Sequence, residues 1–156
     1  MSLTPPKVVY RPIFTDEMPQ LLALYRHLHP EDFPPASSAE LLRVWQQISD
    51  DPRLHTFVAD VDGALVSTCT LSIIPNLTRS ARPYGLIENV VTDPDFRGRG
   101  ISTSVLRYAL GVAWDQGCYK VMLLTGRKDE ATLRFYGEVG FKAGVKTGLI
   151  ALPPDR

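Results

Sequence analysis

The stretch Asp93–Ser102, DPDFRGRGIS, alternates two glycines with two arginines directly after the apolar run LIENVV, residues 86–91. Residues 102–117, STSVLRYALGVAWDQG, follow with Val105, Leu106, Ala109, Leu110 and Ala113 at helical spacing as far as Gly117. Then comes YKVMLL, residues 119–124, a continuous apolar strand of the kind buried on both sheet faces. Strand, turn, helix and strand in this order predict a parallel crossover unit from Leu86 to Leu124, with the glycine-arginine turn at the entrance of its helix.

The flanking sequence fills in one α/β domain over residues 1–156. KVVYRPI reads as a first strand stopped by Pro12. FTDEMPQLLALYRHLH has an acidic start and an apolar stripe at Leu21, Leu24, Tyr25 and Leu28, which predicts a helix ending before Pro30. PEDFPPASS is a break, and SAELLRVWQQIS resumes as a helix with Ser38 as its cap. Asp62–Gly63 marks the turn of a hairpin between strands Thr56–Val61 and Ala64–Ile74, and YGLIENVVT supplies the next strand. KDEATLRFYGEVG is a short helix ended by Gly140, and the tail FKAGVKTGLIALPP predicts one or two terminal strands. The sum is a mixed, mostly antiparallel central sheet flanked by helices.

Seventeen Lys plus Arg balance 17 Asp plus Glu, which argues against a nucleic-acid footprint. The opening MSLTPPKVVYRP lacks the apolar centre of a signal peptide, and no run approaches ~18 apolar residues, so a cytoplasmic protein with no membrane contact is expected. Cys69 and Cys118 have no partners at metal-ligand spacing and sit in apolar runs, as inert buried thiols do. HLHPED, residues 27–32, groups four possible metal ligands, but two histidines two apart do not share a helix face; no metal is expected.

The amides of a first helical turn are unpaired donors at the positive end of the helix dipole. Glycines before them let a phosphate approach, and Arg97 and Arg99 add charge at the rim. GRGIST is not the G-x-G-x-x-G of a dinucleotide fold, and no Gly-Lys-Ser/Thr follows as in a nucleotide-triphosphate loop.

VVTDPDFRGRGIS resembles the acyl-coenzyme-A signature of the GNAT N-acetyltransferases, matched here by Arg97, Gly100 and Ser102. KDEATLRFYGEVGFK resembles the closing motif of the same family, with Tyr136 a few residues before Gly140-Phe141. The resemblance covers nearly the whole chain and implies a GNAT acyl-CoA acyltransferase fold. It departs from the pattern twice: Ser102 replaces Gly or Ala, and Asp129 stands where many relatives carry asparagine. An ionised carboxylate cannot donate a hydrogen bond as an amide does.

The resemblance implies acetyl-CoA as acyl donor, with the backbone of Arg97, Gly98, Arg99, Gly100, Ile101 and Ser102 around its pyrophosphate. Val90 and Val91 would pair with the pantetheine arm, since an extended amide-bearing arm adds to a strand edge as a peptide does; Thr132 joins them from the last helix. Glu88, the one acid in its strand, is the candidate general base, directly or through a water, with partial burial expected to raise its pKa. Tyr136 is the candidate general acid, placed near the thioester sulfur by the family match. No Ser-His-Asp or Cys-His arrangement competes, so transfer is expected to be direct.

His29 and Phe33 are expected on one wall of the acceptor site, Arg79, Arg82 and Tyr84 on another, and Arg127 at the carboxyl end of a strand. GCYKVMLL and LIENVV also resemble the glucosamine-6-phosphate acetyltransferase branch, beside broader small-molecule amines, protein N-termini and a non-catalytic acyl-CoA-binding domain. The apolar tail predicts a homodimer with residues Val145 to Leu152 in or near the interface.

Overall fold

Asp62 and Gly63 both take positive φ, 51° and 89°, and turn the chain tightly between β2 (Leu54–Val61) and β3 (Ala64–Ile74). A computed structural model describes residues 7–31 and 37–154 of the chain. Around this hairpin lie β1 (Val8–Pro12), β4 (Tyr84–Thr92) and β5 (Val121–Leu123). The sheet order is β1-β2-β3-β4-β5; the first three pairings are antiparallel, and β4–β5 is parallel.

Helices cover both faces: α1 (Met18–Leu28), α2 (Ser38–Asp50), α3 (Ile101–Asp115) and α4 (Glu130–Val139). The main core joins Phe57, Leu71 and Ile87 of the sheet to Val105, Leu106 and Ala109 of α3, all buried. On the other face Leu24 of α1 packs with Val58, Leu65 and Val91. Alternation along β2 explains the division, because Phe57 and Val58 point to opposite sides. Truncating fully buried Leu106 to Ala removes about 2–5 kcal/mol of stability.

Three expectations are corrected. The cap of α2 is Ser37, whose Oγ accepts from the Glu40 amide at 3.2 Å, one residue earlier than Ser38. β5 is half-buried, because it is the edge strand of the sheet rather than an interior one. The tail forms no strand: residues 141–154 are turn and coil, with Leu149 89% exposed. Gly144, Gly148 and the Pro153–Pro154 pair disfavour regular structure there, and Val145, Leu149, Ile150 and Leu152 are left exposed. Phe33 lies outside the described residues.

Candidate active site

β4 and β5 pair only from Gly85↔Val121 to Ile87↔Leu123. On its other side β4 stays paired with β3 as far as Thr92. Residues 88–92 therefore have one sheet neighbour and one open edge. Within that segment Cys69 of β3 faces two residues, Asn89 and Val90, since the register passes from Thr70↔Glu88 to Thr68↔Val91. This is a β-bulge, and Asn89 carries its positive φ of 53°. Asn is among the few non-glycine residues that tolerate that conformation.

The open edge forms one wall of a cleft of about 620 Å³. Glu88, Val90 and Val91 line it from β4, Arg97 and Ser102 from the turn and the start of α3, and Thr132 and Tyr136 from α4. His29, after α1, and Arg127, after β5, complete the convergence of sequence-singled residues. His27 lines it too, from the HLHPED segment expected on the acceptor wall, as do Asn89 and Phe135, which the sequence did not single out. An asparagine inside the strand YGLIENVVT was the available signal for Asn89; Phe135 gave none.

The glycine-arginine turn enters α3 through Gly98 and Gly100, at φ 71° and 73°. A Cβ at either would meet nothing within 4 Å, so conformation rather than crowding selects glycine. Gly100 is the N-cap of α3 and supplies no side-chain cap, leaving the first amides of the helix available. Arg97 folds back, its Nε donating to the Thr92 carbonyl at 3.0 Å. Arg99 donates to the Asp95 carbonyl at 2.8 Å and lies over the Phe96 ring.

Tyr136 is half-buried between Phe135 and Phe141, with ring centroids 4.8 and 6.1 Å away. Burial raises its phenol above the ordinary tyrosine value, and the Arg127 charge works against that rise. Glu88, by contrast, is exposed, which corrects the expectation of partial burial. The bulge that follows it turns this stretch of β4 toward the open cleft rather than into the core. Asp129 caps α4: it accepts from the Thr132 amide and hydroxyl, both at 2.9 Å, and from Arg127 Nε at 3.1 Å. Those hydrogen bonds hold its carboxyl below the usual carboxylate range.

Arg79, Arg82 and Tyr84 do not line the cleft, a correction to their expected place on its wall. They sit around the opposite, amino-terminal end of β4. There Arg82 donates to the carbonyls of Gly117 and Cys118 at 3.2 and 3.3 Å, and Tyr84 packs edge-on against Tyr119. Cys69 and Cys118 are buried thiols; burial pushes Cys69 up to about 12 and raises Cys118 as well, so neither is primed as a nucleophile. Among the described residues no group of three or more His, Cys, Asp or Glu side chains could hold a metal ion, and no helix is long and apolar enough to cross a membrane.

The cleft thus lies between a bulged strand with an open edge and a glycine turn that enters an uncapped helix. The chain belongs to the acetyltransferase (GNAT) family, whose pattern it matches over residues 18–141. It is 35% identical over 120 residues to a glucosamine 6-phosphate N-acetyltransferase of Trypanosoma brucei brucei, covering 74% of this chain and 77% of the relative. A candidate acetyltransferase structure from Agrobacterium tumefaciens superposes with TM-score 0.87 at 45% identity, covering 93% of this chain and 99% of that one. The glucosamine-6-phosphate N-acetyltransferase structure from Arabidopsis thaliana, at 22% identity and TM-score 0.81 over 96% and 99% of the two chains, shares the fold.

Proposed function

We propose that the protein is an acetyl-CoA-dependent N-acetyltransferase that moves the acetyl group directly to a primary amine of a small molecule. One observation carries this: the open β4 edge leads to the uncapped amides of α3 across two glycines at positive φ. An extended arm with amide groups fits the first, and a diphosphate fits the second. Acetyl-CoA has both parts, and when bound it supplies the thioester that is cleaved.

The chain's own residues supply the rest. Val90 and Val91 orient the arm through their backbone, and residues 97–102 hold the diphosphate by amide donors. Glu88 accepts the proton that the attacking amine loses, directly or through a water that its exposed carboxylate can hold. Tyr136 donates its phenolic proton to the leaving sulfur. Because burial raises the Tyr136 pKa, the phenol stays protonated throughout the neutral range, and any basic limb it sets in kcat falls above ordinary tyrosine titration at about pH 10.

The first acceptor to test is glucosamine 6-phosphate, the substrate class in the name of the Trypanosoma relative. Arg127 and His29 line the cleft on the acceptor's behalf in this reading. The experiment is release of free coenzyme A on adding a panel of amines: amino-sugar phosphates, amino sugars, aminoglycosides and amino acids. Acceptor-dependent release identifies the substrate class. Binding of coenzyme A with no release under any amine defeats the enzyme reading and leaves a binding domain.

A homodimer belongs to the same proposal. Val145, Leu149, Ile150 and Leu152 are all more than two-thirds exposed, and β5 is an edge strand of the sheet. A second copy burying that tail accounts for both. Light scattering at micromolar protein decides: a mass near 17.4 kDa sinks the dimer, and a doubled mass that collapses on removing the tail locates its interface.

A further inference from the structure

Capping α4 needs one acceptor for the Thr132 amide, which Asn, Ser or Thr would provide as well as Asp. Asp129 does more. Its Oδ1 takes that amide, while its Oδ2 takes both the Thr132 hydroxyl and Arg127 Nε. Bonding through Nε leaves the two terminal nitrogens of Arg127 without a hydrogen-bond partner among the described residues. The side chain is 77% exposed yet lines the cleft. An unheld arginine there would sample many rotamers, each to be given up on binding a ligand. Through Nε the carboxylate restrains the guanidinium at the rim before any ligand arrives.

The cleft also has an uneven charge. Two arginines, Arg97 and Arg127, line it against a single carboxylate, Glu88. Arg97 already directs its Nε to the Thr92 carbonyl beside the diphosphate cradle. Arg127 stands apart from that turn, after β5, with a planar fork that matches two oxygens of one phosphate.

We propose that Asp129 is a positioning residue that pre-sets Arg127 to bind a phosphate monoester of a ligand in the cleft. Two ligands offer that chemistry, the ribose 3′-phosphate of coenzyme A and the phosphate of an amino-sugar phosphate acceptor. The proposal rests on the acetyl-transfer reading for its choice of ligands.

The test is calorimetric binding of four ligands to the full chain: coenzyme A, 3′-dephospho-coenzyme A, glucosamine 6-phosphate and glucosamine. The proteins are wild type, Asp129→Asn and Arg127→Gln. Asn keeps the cap and turns an amide or a neutral oxygen toward Arg127, so melting of Asp129→Asn should fall only slightly while the clamp is lost. Both variants should weaken one phosphate-bearing ligand at least threefold and leave its phosphate-free counterpart unchanged, with the double variant no weaker than Arg127→Gln alone. Loss on coenzyme A only assigns the cofactor phosphate; loss on glucosamine 6-phosphate only assigns the acceptor. Wild-type affinities in Asp129→Asn, or equal losses with and without the monoester, overturn the proposal while leaving acetyl transfer intact. A wild-type protein that binds none of the four overturns both.

Discussion

The two ends of β4 carry similar side chains and use them in opposite ways. At the amino end the polar groups are paired. Arg79 lies 5.9 Å from the Tyr119 ring, Lys120 stands 5.3 Å from both Tyr84 and Tyr119, and Arg82 closes on two carbonyls. Even the left-handed turn at Arg79, Ser80 and Ala81 is tied down by Asn76, which donates to the Thr78 and Arg82 carbonyls. At the carboxyl end the strand edge is open, α3 has no side-chain cap, and the terminal nitrogens of Arg127 have no partner among the described residues. Cations and aromatics in the sequence do not themselves mark a site. Unfilled hydrogen-bonding capacity facing a cleft does.

The largest effect expected from this contrast is at Tyr136. Tyr136→Phe keeps the packing against Phe135 and Phe141 and removes one proton. Loss of a general acid lowers kcat by about 10²–10⁴-fold. The melting temperature and the coenzyme A affinity should stay at wild-type values. Undiminished turnover would remove the acid role and leave the residue as a wall of the cleft.

Next comes the bulge. A β-branched side chain at φ 53° is strained by about 1–3 kcal/mol, so Asn89→Val should either lower stability by that amount or flatten the bulge. Asn89→Gly fits the same backbone and should retain activity. A Val variant with wild-type melting and wild-type kcat would show that the bulge does not shape the cleft.

Gly100→Ala tests the cradle. No atom obstructs the new methyl, so the effect isolates the left-handed backbone, at about 1–2 kcal/mol. If the turn opens to relieve that strain, coenzyme A binding weakens by about tenfold, the equivalent of 1.4 kcal/mol. Unchanged affinity on calorimetry would separate the turn from the diphosphate.

The same contrast explains what could be read from the chain in advance. The crossover from Leu86 to Leu124 was legible because glycines, helical spacing and an apolar strand all act locally. That Glu88, Arg97, Ser102 and Tyr136 line one cleft could be anticipated, because two motifs hold Arg97, Ser102 and Tyr136, and Glu88 is the one acid of its strand. The acceptor wall was not. Whether Arg82 meets a ligand or the carbonyls of Gly117 and Cys118 depends on contacts 35 and 36 residues away in the chain. The tail misled for a related reason: Leu149–Leu152 has the composition of a strand, but strand formation needs pairing, and this segment pairs with no strand among the described residues. Asn89 lay between these cases, visible as an odd residue in a strand but without a stated reason to bulge.

The smallest effect belongs to the filled end, and it is the control for the others. Arg82→Ala deletes the two hydrogen bonds that tie the β3–β4 connection to the exit of α3. Both are long, and the side chain is exposed, so water replaces much of what is lost. The expected cost is about 1 kcal/mol, a fall in melting temperature of about 2–4 °C for a domain of this size. With the cleft at the far end of β4, kcat and both KM values should stay within twofold of wild type. A variant that melts normally but loses acceptor affinity would reverse the comparison. It would place an acceptor group at the amino end of β4, as the sequence alone suggested, and reopen Arg79 and Tyr84 as its neighbours.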